Sequence, residues 1–335
     1  MLLLMSLVNR VLRAGYDFLS RPGFAKLSDS LLNSEYHVRA CWNRAFKPSK
    51  AVPKVTVVIP VFNVERYLPT CLNSLEAQNY GNLHVVVVDD GSTDESLDIA
   101  KEYLTRLNLT IVTQRNAGIS AARNNGVKSI QTTDFMMFLD SDDSFAPNAI
   151  KQLVRQAEKT GSDFVMADTV RTKGIVWIRR IDTREVFAKG TLERTNFAKH
   201  PAVIQDLTAW NRLFRWDFYK RHGIEFPEGR FFEDFTTMTR ALLYADTFDI
   251  LAKPIYHWRV RTEGMRSVTQ QGDDATKFTH RIEELEKVKA MIQAAIKAGR
   301  ATQANLEAFS SRVMKHDLRL HPDKLEELKR LAALD

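Results

Sequence analysis

The chain of 335 residues is long enough for one large catalytic domain with additions or for two modest domains, and either can bury a sizeable core. With 44% hydrophobic and 27% charged residues, its composition excludes a disordered or collagen-like chain. The formal net charge of +7 fits nucleic acid, anionic lipid or phosphate-bearing small molecules as partners. Because the basic residues form no compact block and no zinc-finger spacing occurs, we expect no nucleic-acid partner.

Residues 1–50 form a predicted helical extension. The apolar stretch at residues 1–8 is followed by Arg10 and Arg13, well short of the ~20 apolar residues that span a bilayer. It also lacks the positive start and the small-residue cleavage site of a signal peptide. Two interpretations stay open, an amphipathic helix bound peripherally to the inner face of the cell membrane and an ordinary packing helix.

The chain contains two cysteines, Cys41 and Cys71. Their neighbours are apolar or helix-like, and their spacing fits neither a disulfide framework nor a metal-ligand motif. This pattern is typical of proteins in a reducing compartment, so we expect a cytoplasmic location.

After residue 50, apolar runs of strand length alternate with segments of helix-like apolar spacing. Strands are predicted at 55–60, 83–88, 109–113 and 135–139, and helices at 67–78, 93–107 and 120–130. This alternation predicts an α/β fold with a mostly parallel sheet, flanked by helices and joined by right-handed crossovers. Because ligands of such sheets collect at the carboxyl ends of the strands, the acidic turns that follow two of these strands become candidate binding residues.

The remainder of the chain is less regular. It contains a predicted strand at 163–167 and a predicted helix at 231–244, followed by helical spacing to the end of the chain. Those last helices carry apolar residues typical of a core or of an interface, including one between copies of the chain. The predicted organisation is an N-terminal helical extension at 1–50, one catalytic domain at 51–272 with halves at 53–150 and 151–272, and a C-terminal helical region at 273–335.

Asp140 and Asp142 follow a predicted buried strand and flank Ser141. Two carboxylates at such a place face a cavity or a cation, because burying both in the core would carry a severe desolvation cost. Carboxylate oxygens suit Mg²⁺ or Mn²⁺, and such an ion can bridge a diphosphate and stabilise it as a leaving group. An acidic turn of this type is also common in ordinary loops and helix caps.

Two further motifs follow neighbouring predicted strands. The acidic turn at 89–94 contains Asp90, and the segment at 114–124 combines small residues with Arg123. Each has a purely structural alternative, a turn with an N-cap in the first case and a loop entering a helix in the second. Three such motifs at successive strand ends favour a ligand site over three independent loops.

In order and spacing, the segments at 58–63, 88–94, 116–124 and 139–143 resemble the nucleotide-binding half of the family 2 glycosyltransferases, inverting enzymes of the GT-A fold. The stretch from Trp210 to Arg259 is similar to members that build or decorate bacterial teichoic acids and related surface polymers. The resemblance covers residues 50–270.

The resemblance implies a site for a nucleotide sugar and a metal ion, Mn²⁺ or Mg²⁺. Pro60 and Phe62 would line the uracil and Asp90 would accept a hydrogen bond from it, although many members have tyrosine in place of Phe62. Asp142 would ligate the metal, together with Asp140 and His257. The complete set of implied nucleotide-sugar-binding residues is Pro60, Phe62, Asn63, Asp90, Asn116, Arg123, Asp140, Ser141, His257, Arg259 and Arg261.

Glu233 and Asp234 open the predicted helix at 231–244, where carboxylates also act as caps. In similar enzymes the aspartate of this pair takes the proton of the acceptor hydroxyl, which makes Asp234 the first candidate base and Glu233 the second. Trp210 and Asn211 are candidate acceptor-binding residues, although an aromatic residue there is as often part of the core.

His257, Arg259 and Arg261 alternate in a strand-like stretch, so their side chains are expected on one face, where they would bind the diphosphate. The alternative is a solvated strand face.

The predicted activity is transfer of a sugar, with inversion, from a nucleotide donor, expected to be a UDP-sugar, to a hydroxyl of a surface polymer or lipid-linked acceptor. Two alternatives stay open. A nucleotidyltransferase uses a similar sheet, but it usually carries a Gly-rich loop with a lysine where this chain has residues 60–63. A non-catalytic scaffold that binds nucleotides would share the same acidic motifs.

Overall fold

The computed structural model describes residues 30, 33–36, 52–173, 176–261 and 275–334. Most of the predicted N-terminal extension, the boundaries near 50 and 272 and the proposed membrane-binding helix therefore lie outside the described residues. No helix in the described ranges combines the length and the apolar character that crossing a bilayer requires.

The first half of the fold is the predicted parallel α/β unit. Its elements are β1 (Val55–Val61), α1 (Leu68–Glu76), β2 (Leu83–Asp89), α2 (Ser96–Glu102), β3 (Leu109–Thr113), α3 (Ile119–Lys128) and β4 (Phe135–Phe138). The four strands lie in the order β3-β2-β1-β4, and each neighbouring pair is parallel. All seven residues of β1 are buried, as its run of β-branched residues predicts for a central strand covered on both faces.

The second half extends the same sheet. It contains β5 (Ser144–Phe145), α4 (Ala149–Thr160), β6 (Phe164–Lys173), β7 (Val176–Arg179), α5 (Arg184–Phe187), β8 (Leu192–Thr195), β9 (Arg212–Arg215), α6 (Trp216–Arg221), α7 (Asp234–Tyr244) and β10 (Phe248–Arg259). The sheet continues from β4 as β9-β6-β10-β5, and β9 runs antiparallel to both β4 and β6. The α/β class with a mixed, mostly parallel sheet is thus confirmed. The sheet brings the acidic turn after β4 beside the end of β10.

The predicted elements differ from the observed ones mainly at their ends. The predicted helix at 93–107 is shorter, because α2 ends at Glu102 and a 3-10 turn follows at Tyr103–Thr105. The predicted strand at 163–167 continues to Lys173, since β6 pairs with β7 and β10 along this extra length. These pairings join distant segments, which local spacing does not reveal.

Three longer helices close the chain, α8 (Ala275–Lys297), α9 (Gln303–Arg312) and α10 (Leu325–Ala332). Their buried apolar residues belong to the same core cluster as residues of β4, β6 and α7. Buried Glu284 of α8 also accepts a hydrogen bond from Thr236 of α7 at 2.8 Å. The C-terminal region therefore packs on the core that it shares with β4, β6 and α7. Association of copies through it stays a prediction.

Substitution of Leu285 by Ala is expected to lower the free energy of unfolding by about 2–5 kcal/mol, because the side chain is fully buried in the core shared with β4, β6 and α7. Urea unfolding of the two proteins measures this difference. Leu320→Ala is the matched control, since Leu320 is 47% exposed and its loss should change stability little. Equal stability of the Leu285 variant and the wild type would show that the helices fold apart from the core.

Candidate active site

The turn after β4 is anchored to β10 through Asp143. One carboxylate oxygen of Asp143 accepts a hydrogen bond from the Tyr256 hydroxyl at 2.7 Å, and the other accepts one from the backbone N–H of Arg259 at 2.7 Å. Burial, together with the neighbouring Asp142 and Asp140 carboxylates, raises the pKa of Asp143 well above its usual value. The backbone N–H of Asp140 donates to the same Tyr256 oxygen at 3.2 Å. Asp143 is therefore part of the scaffold that fixes the turn.

Asp142 is contacted by two arginines, Arg259 at the last position of β10 and Arg261 two residues later. Nε of Arg261 is 2.7 Å from its Oδ2, and Nε of Arg259 donates to its backbone oxygen at 2.8 Å. The two guanidinium groups lie 5.3 and 5.5 Å from the centre of the Tyr67 ring. The structure thus brings the predicted diphosphate-binding arginines to the predicted metal-binding turn, and the solvated strand face is not the arrangement found.

Arg123 of α3 connects this turn to the start of α7. One terminal nitrogen lies 2.8 Å from Oδ1 of Asp140, and the other lies 2.7 Å from Oε1 of Glu233 and 3.9 Å from Oδ1 of Asp234. Although burial opposes it, the surrounding carboxylates raise the pKa of Arg123. Its side chain is 2% exposed, enclosed by these carboxylates and the Phe226 ring. The structure thus gives Arg123 a role in joining these carboxylates, and its predicted place beside the nucleotide stays a prediction.

Glu233 and Asp234 lie at the beginning of α7, as predicted. Burial and the neighbouring Asp234 raise the pKa of Glu233 to about 8, whereas Arg123 acts in the opposite direction. The Asp234 side chain is 20% exposed, twice the 10% of Glu233, and its Oδ2 accepts a hydrogen bond from the backbone N–H of Ala209 at 3.3 Å. Asp234 is thus the more accessible of the two carboxylates.

The backbone just before this pair adopts an unusual conformation. Phe232 has φ of 62°, in the left-handed region that bulky side chains rarely adopt. Its ring lies under the guanidinium of Arg281 from α8, 4.0 Å away, and beside the ring of Phe235. Contacts from the C-terminal helices therefore hold the strained turn from which Glu233 and Asp234 project.

Asp90 organises the loop that leads into α3. Its two carboxylate oxygens accept hydrogen bonds from the side-chain amide of Gln114 at 2.8 Å and from the backbone N–H groups of Ala117 at 2.8 Å and Gly118 at 2.9 Å. Neighbouring Gly91 has φ of 74° and lies so close to the backbone of Asn116 that a side chain would meet it. The structure gives Asp90 this scaffolding contact, and direct bonding to a base stays a prediction.

The other implied nucleotide-binding residues differ in accessibility. Phe62 is 41% exposed and Asn116 is exposed, so both can meet a ligand. Pro60 is buried within β1, and Ser141 is 7% exposed. Asn63 has φ of 49° and accepts a hydrogen bond from the backbone N–H of Thr93 at 2.8 Å, which ties two strand ends together.

His257 is buried in β10, two residues before Arg259. Burial and the positive charge of Arg259 lower its pKa to about 4, so the imidazole is neutral at pH 7. Nδ1 is 3.2 Å from the Tyr36 hydroxyl, whereas Nε2 has no hydrogen-bond partner in the part of the chain that the structure describes. The Trp177 ring, 53% exposed, lies 4.6 Å from the imidazole, measured between centroids.

The two candidate acceptor-binding residues lie inside the protein. Trp210 stacks on Tyr256 with 4.2 Å between ring centroids. Asn211 is fully buried, and its amide donates to Asp206 at 2.8 Å and to the backbone oxygen of Ala167 at 3.0 Å. In this structure Asn211 supports the strand end from within the core, and its predicted role in binding an acceptor stays a prediction.

The predicted metal ligands do not form a three-residue cluster, and no group of three or more potential ligands that could hold a metal ion occurs in the described part of the chain. Arg123 pairs with Asp140 and Arg261 pairs with Asp142, which explains the difference from the prediction. Two donors still suit Mn²⁺ or Mg²⁺ chemically, the Asp142 carboxylate and the unpartnered Nε2 of His257.

Several residues that shape the site were missed by sequence reasoning. They are Tyr36, Tyr67, Asp143, Trp177 and Tyr256. Asp143 carried a signal, since it adjoins the acidic pair that was recognised. The aromatic residues carried none, because their roles depend on contacts between segments far apart in the chain.

The family model described as Glycosyl transferase family 2 matches residues 56–223, which run from the second residue of β1 past β9 and include the acidic turns after β2 and β4. The chain therefore belongs to glycosyltransferase family 2.

Relatives of the chain include bacterial proteins that are named as glycosyltransferases. EpsH of Bacillus subtilis is 31% identical over 221 residues, 62% of this chain and 61% of EpsH. Poly(ribitol-phosphate) beta-N-acetylglucosaminyltransferase TarS of Staphylococcus aureus is 29% identical over 216 residues, 63% of this chain and 36% of TarS. The chain thus spans less than two thirds of the length of these relatives.

Solved structures share the fold. TarS residues 1–349 in complex with UDP-GlcNAc match with a TM-score of 0.68 and 24% identity, over 84% of this chain and 82% of that one. Mannosyltransferase PcManGT from Pyrobaculum calidifontis, in complex with GDP-Man and Mn²⁺, matches with a TM-score of 0.54 and 18% identity, over 92% of this chain and 83% of that one. Both likenesses support the GT-A architecture of the chain.

Proposed function

We propose that this chain transfers a sugar, with inversion at the anomeric carbon, from a UDP-sugar to a hydroxyl of a surface-polymer or lipid-linked acceptor. The observation that carries the proposal is the link made by Arg123, whose two terminal nitrogens hold Asp140 and Glu233 at 2.8 and 2.7 Å. This link fixes the donor side of the site and the start of α7 relative to each other. UDP-GlcNAc is the first donor to test, because a TarS structure contains it.

The donor would lie along the carboxyl ends of β1, β2 and β4. Phe62 offers an exposed aromatic face on which a base can stack. Arg259 and Arg261, held at the Asp142 turn, supply positive charge for the diphosphate. This charge stabilises the nucleoside diphosphate as it leaves, because negative charge develops there in the transition state.

Asp234 is the proposed base. Inversion requires the acceptor hydroxyl to attack the anomeric carbon from the face opposite the leaving group, while a carboxylate takes its proton. The Ala209 N–H fixes the orientation of the Asp234 carboxylate, and Arg123 nearby stabilises its negative charge. Glu233 is the weaker candidate, since Arg123 already binds its carboxylate.

Mn²⁺ or Mg²⁺ is the proposed cofactor, held by Asp142 and His257. When bound with the donor, the ion would act as a Lewis acid on the diphosphate. Asp142 lies at the diphosphate-binding arginines, and His257 offers a neutral imidazole with an unpartnered Nε2 within the described structure. Asp140, paired with Arg123, supports the turn.

Incubation of the full chain with UDP-GlcNAc, UDP-glucose, UDP-galactose or GDP-mannose, each with Mn²⁺ or Mg²⁺, tests the proposal by the nucleotide that is released. A glycosyltransferase releases the nucleoside diphosphate when the sugar passes to a hydroxyl of the acceptor or, without an acceptor, to water by hydrolysis. Release of pyrophosphate from a sugar phosphate and a nucleoside triphosphate would instead support the nucleotidyltransferase alternative. Binding without any turnover would support the scaffold.

Asp142→Asn is expected to lower kcat about 100-fold, equal to about 2.7 kcal/mol of transition-state stabilisation, because the diphosphate loses a charged ligand of its counter-ion. Steady-state assays over a range of Mn²⁺ concentrations measure this loss. Asp98→Asn is the matched control, since the Asp98 side chain is 79% exposed on α2. Full activity of the Asp142 variant would contradict the proposed metal role.

A further inference from the structure

Tyr36 comes from the N-terminal part of the chain, outside the residues matched by the family model. It is 1% exposed, although only residues 33–36 and residue 30 of this part are described. Asn33 accepts a hydrogen bond from Asn73 of α1 at 2.5 Å, which gives this short helical segment a second attachment to the catalytic domain. The segment therefore places a buried phenol beside the candidate active site.

The Tyr36 hydroxyl has polar neighbours from two strands. It lies 2.9 Å from the backbone oxygen of Phe145, 3.2 Å from Nδ1 of His257 and 3.3 Å from Oγ of Ser144. A phenol has one proton to donate, and a backbone carbonyl can only accept. The Tyr36 hydroxyl therefore donates its proton to the backbone oxygen of Phe145, its shortest contact. Toward Nδ1 of His257, the Tyr36 oxygen can then only accept.

This assignment decides which ring nitrogen of the neutral His257 imidazole carries the proton. If the Tyr36 oxygen accepts, Nδ1 of His257 must donate, so Nδ1 carries the proton of the neutral imidazole. Ser144 poses no conflict, because its hydroxyl can rotate to donate or to accept. Nε2 then has a lone pair and no proton, and among the described residues it has no hydrogen-bond partner.

The unpartnered Nε2 belongs to the same edge of the sheet as the Asp142 turn. His257 pairs with Ser144 in the sheet, two residues after Asp142. Arg259, whose side chain contacts the backbone oxygen of Asp142, lies two positions along β10 and so projects from the same face as His257. A buried imidazole lone pair at such an edge suits a cation and cannot donate to a phosphate oxygen.

We propose that Tyr36 is a positioning residue of the donor site, which holds His257 in the Nδ1–H tautomer and so presents Nε2 as a ligand to a divalent cation. The inference rests on the proposed function for the nature of the cation, which would accompany a nucleoside diphosphate. It adds that two parts of the chain outside residues 56–223, the N-terminal segment with Tyr36 and β10 with His257, complete the metal-binding side of the site. A hydrogen-bond partner of this kind orients a ligating histidine and increases its basicity.

The tautomer can be measured directly on the metal-free full chain. In the 15N spectrum of imidazole-labelled protein at pH 7, the His257 signals, assigned with His257→Gln, should show a protonated Nδ1 and an unprotonated Nε2. In Tyr36→Phe the preference for this tautomer should be lost. A protonated Nε2 in the wild type would overturn the inference, whatever the enzyme activity proves to be.

Metal binding supplies the second measurement. The Kd of Mn²⁺, determined by electron paramagnetic resonance in the presence of UDP, is expected to rise about 10- to 100-fold in Tyr36→Phe. Tyr80→Phe is the matched control, because the half-buried Tyr80 hydroxyl donates to the backbone oxygen of Pro53 at 2.5 Å, before the amino end of β1 and away from the Asp142 turn. Its loss should cost similar stability and leave the Kd unchanged.

The outcomes separate the inference from the proposed function. A wild type that binds Mn²⁺ with UDP more tightly than Tyr36→Phe, but transfers no sugar, would support the inference and contradict the proposed function. An equal Kd in Tyr36→Phe and wild type, or no Mn²⁺ binding by the wild type with UDP, would overturn the inference. If Tyr36→Phe fails to fold, the tautomer of His257 measured in the wild type still tests the inference.

Discussion

Asp234→Asn is expected to lower kcat for sugar transfer by about 10²- to 10⁴-fold, the usual contribution of a general base. An amide cannot take the proton of the acceptor hydroxyl at neutral pH. It retains the size of the side chain and an oxygen that can accept from the Ala209 N–H. The Kd of UDP, the nucleotide part of the proposed donor, should therefore change little. Steady-state kinetics with acceptor, and calorimetric titration with UDP, measure the two quantities.

Two other variants test the specificity of this effect. Asp217→Asn is a matched control, because Asp217 is an exposed carboxylate in the first turn of α6 and is remote from the acidic turn. It should retain wild-type kcat. Glu233→Gln should reduce kcat less than Asp234→Asn, since Glu233 is bound to Arg123. A larger loss in Glu233→Gln, with activity kept in Asp234→Asn, would transfer the role of base to Glu233.

Arg123→Met is expected to lower the free energy of unfolding by about 3–5 kcal/mol, because it leaves buried carboxylates without their counter-charge. The side chain is 2% exposed and lies 2.8 Å from Asp140 and 2.7 Å from Glu233. Transfer activity should fall as well, since the acidic turn and the start of α7 lose their common partner. Urea unfolding and kinetics under native conditions measure the two effects.

A double-mutant cycle distinguishes loss of the ion pair from loss of packing. Arg123→Met combined with Glu233→Gln alters both partners of this contact, so the double variant should be less destabilised than the sum of the single variants. The non-additive part measures the coupling between Arg123 and Glu233. Additive effects would show that Arg123 acts through packing against Phe226, 5.1 Å from its guanidinium carbon.

The C-terminal helices reach the candidate base through one continuous set of contacts. Glu284 of α8 binds Thr236 of α7, and the Arg281 guanidinium lies over Phe232, just before Glu233. Arg281 is itself held by buried Asp317 at 2.8 Å. The C-terminal helices, which lie outside residues 56–223, thus support the backbone conformation at Phe232, just before the candidate bases Glu233 and Asp234.

The predicted strands agree with the structure where a local pattern carried the information, whereas their order in the sheet, β3-β2-β1-β4, came from the structure. The β-branched run of β1 is fully buried, and the acidic turns at 89–94 and 139–143 do follow β2 and β4. Strand ends are predictable because apolar alternation and the first acidic residues are features of a few consecutive positions. The same is true of α7, which begins at Asp234 as the Glu-Asp pair indicated.

By itself, the sequence determined the α/β class, the parallel strands β1 to β4 and the motifs that place the chain in its family. Only the tertiary structure decided which polar and charged side chains are already bound to other residues of the chain. Arg123 meets Glu233 from 110 positions away, and His257 meets Tyr36 from 221 positions away. The physical reason is that hydrogen-bond partners and burial depend on which segments the sheet brings together, and no local spacing records that. The acidic turn after β4 was therefore predictable as a feature, whereas the separate roles of Asp140, Asp142 and Asp143 were not.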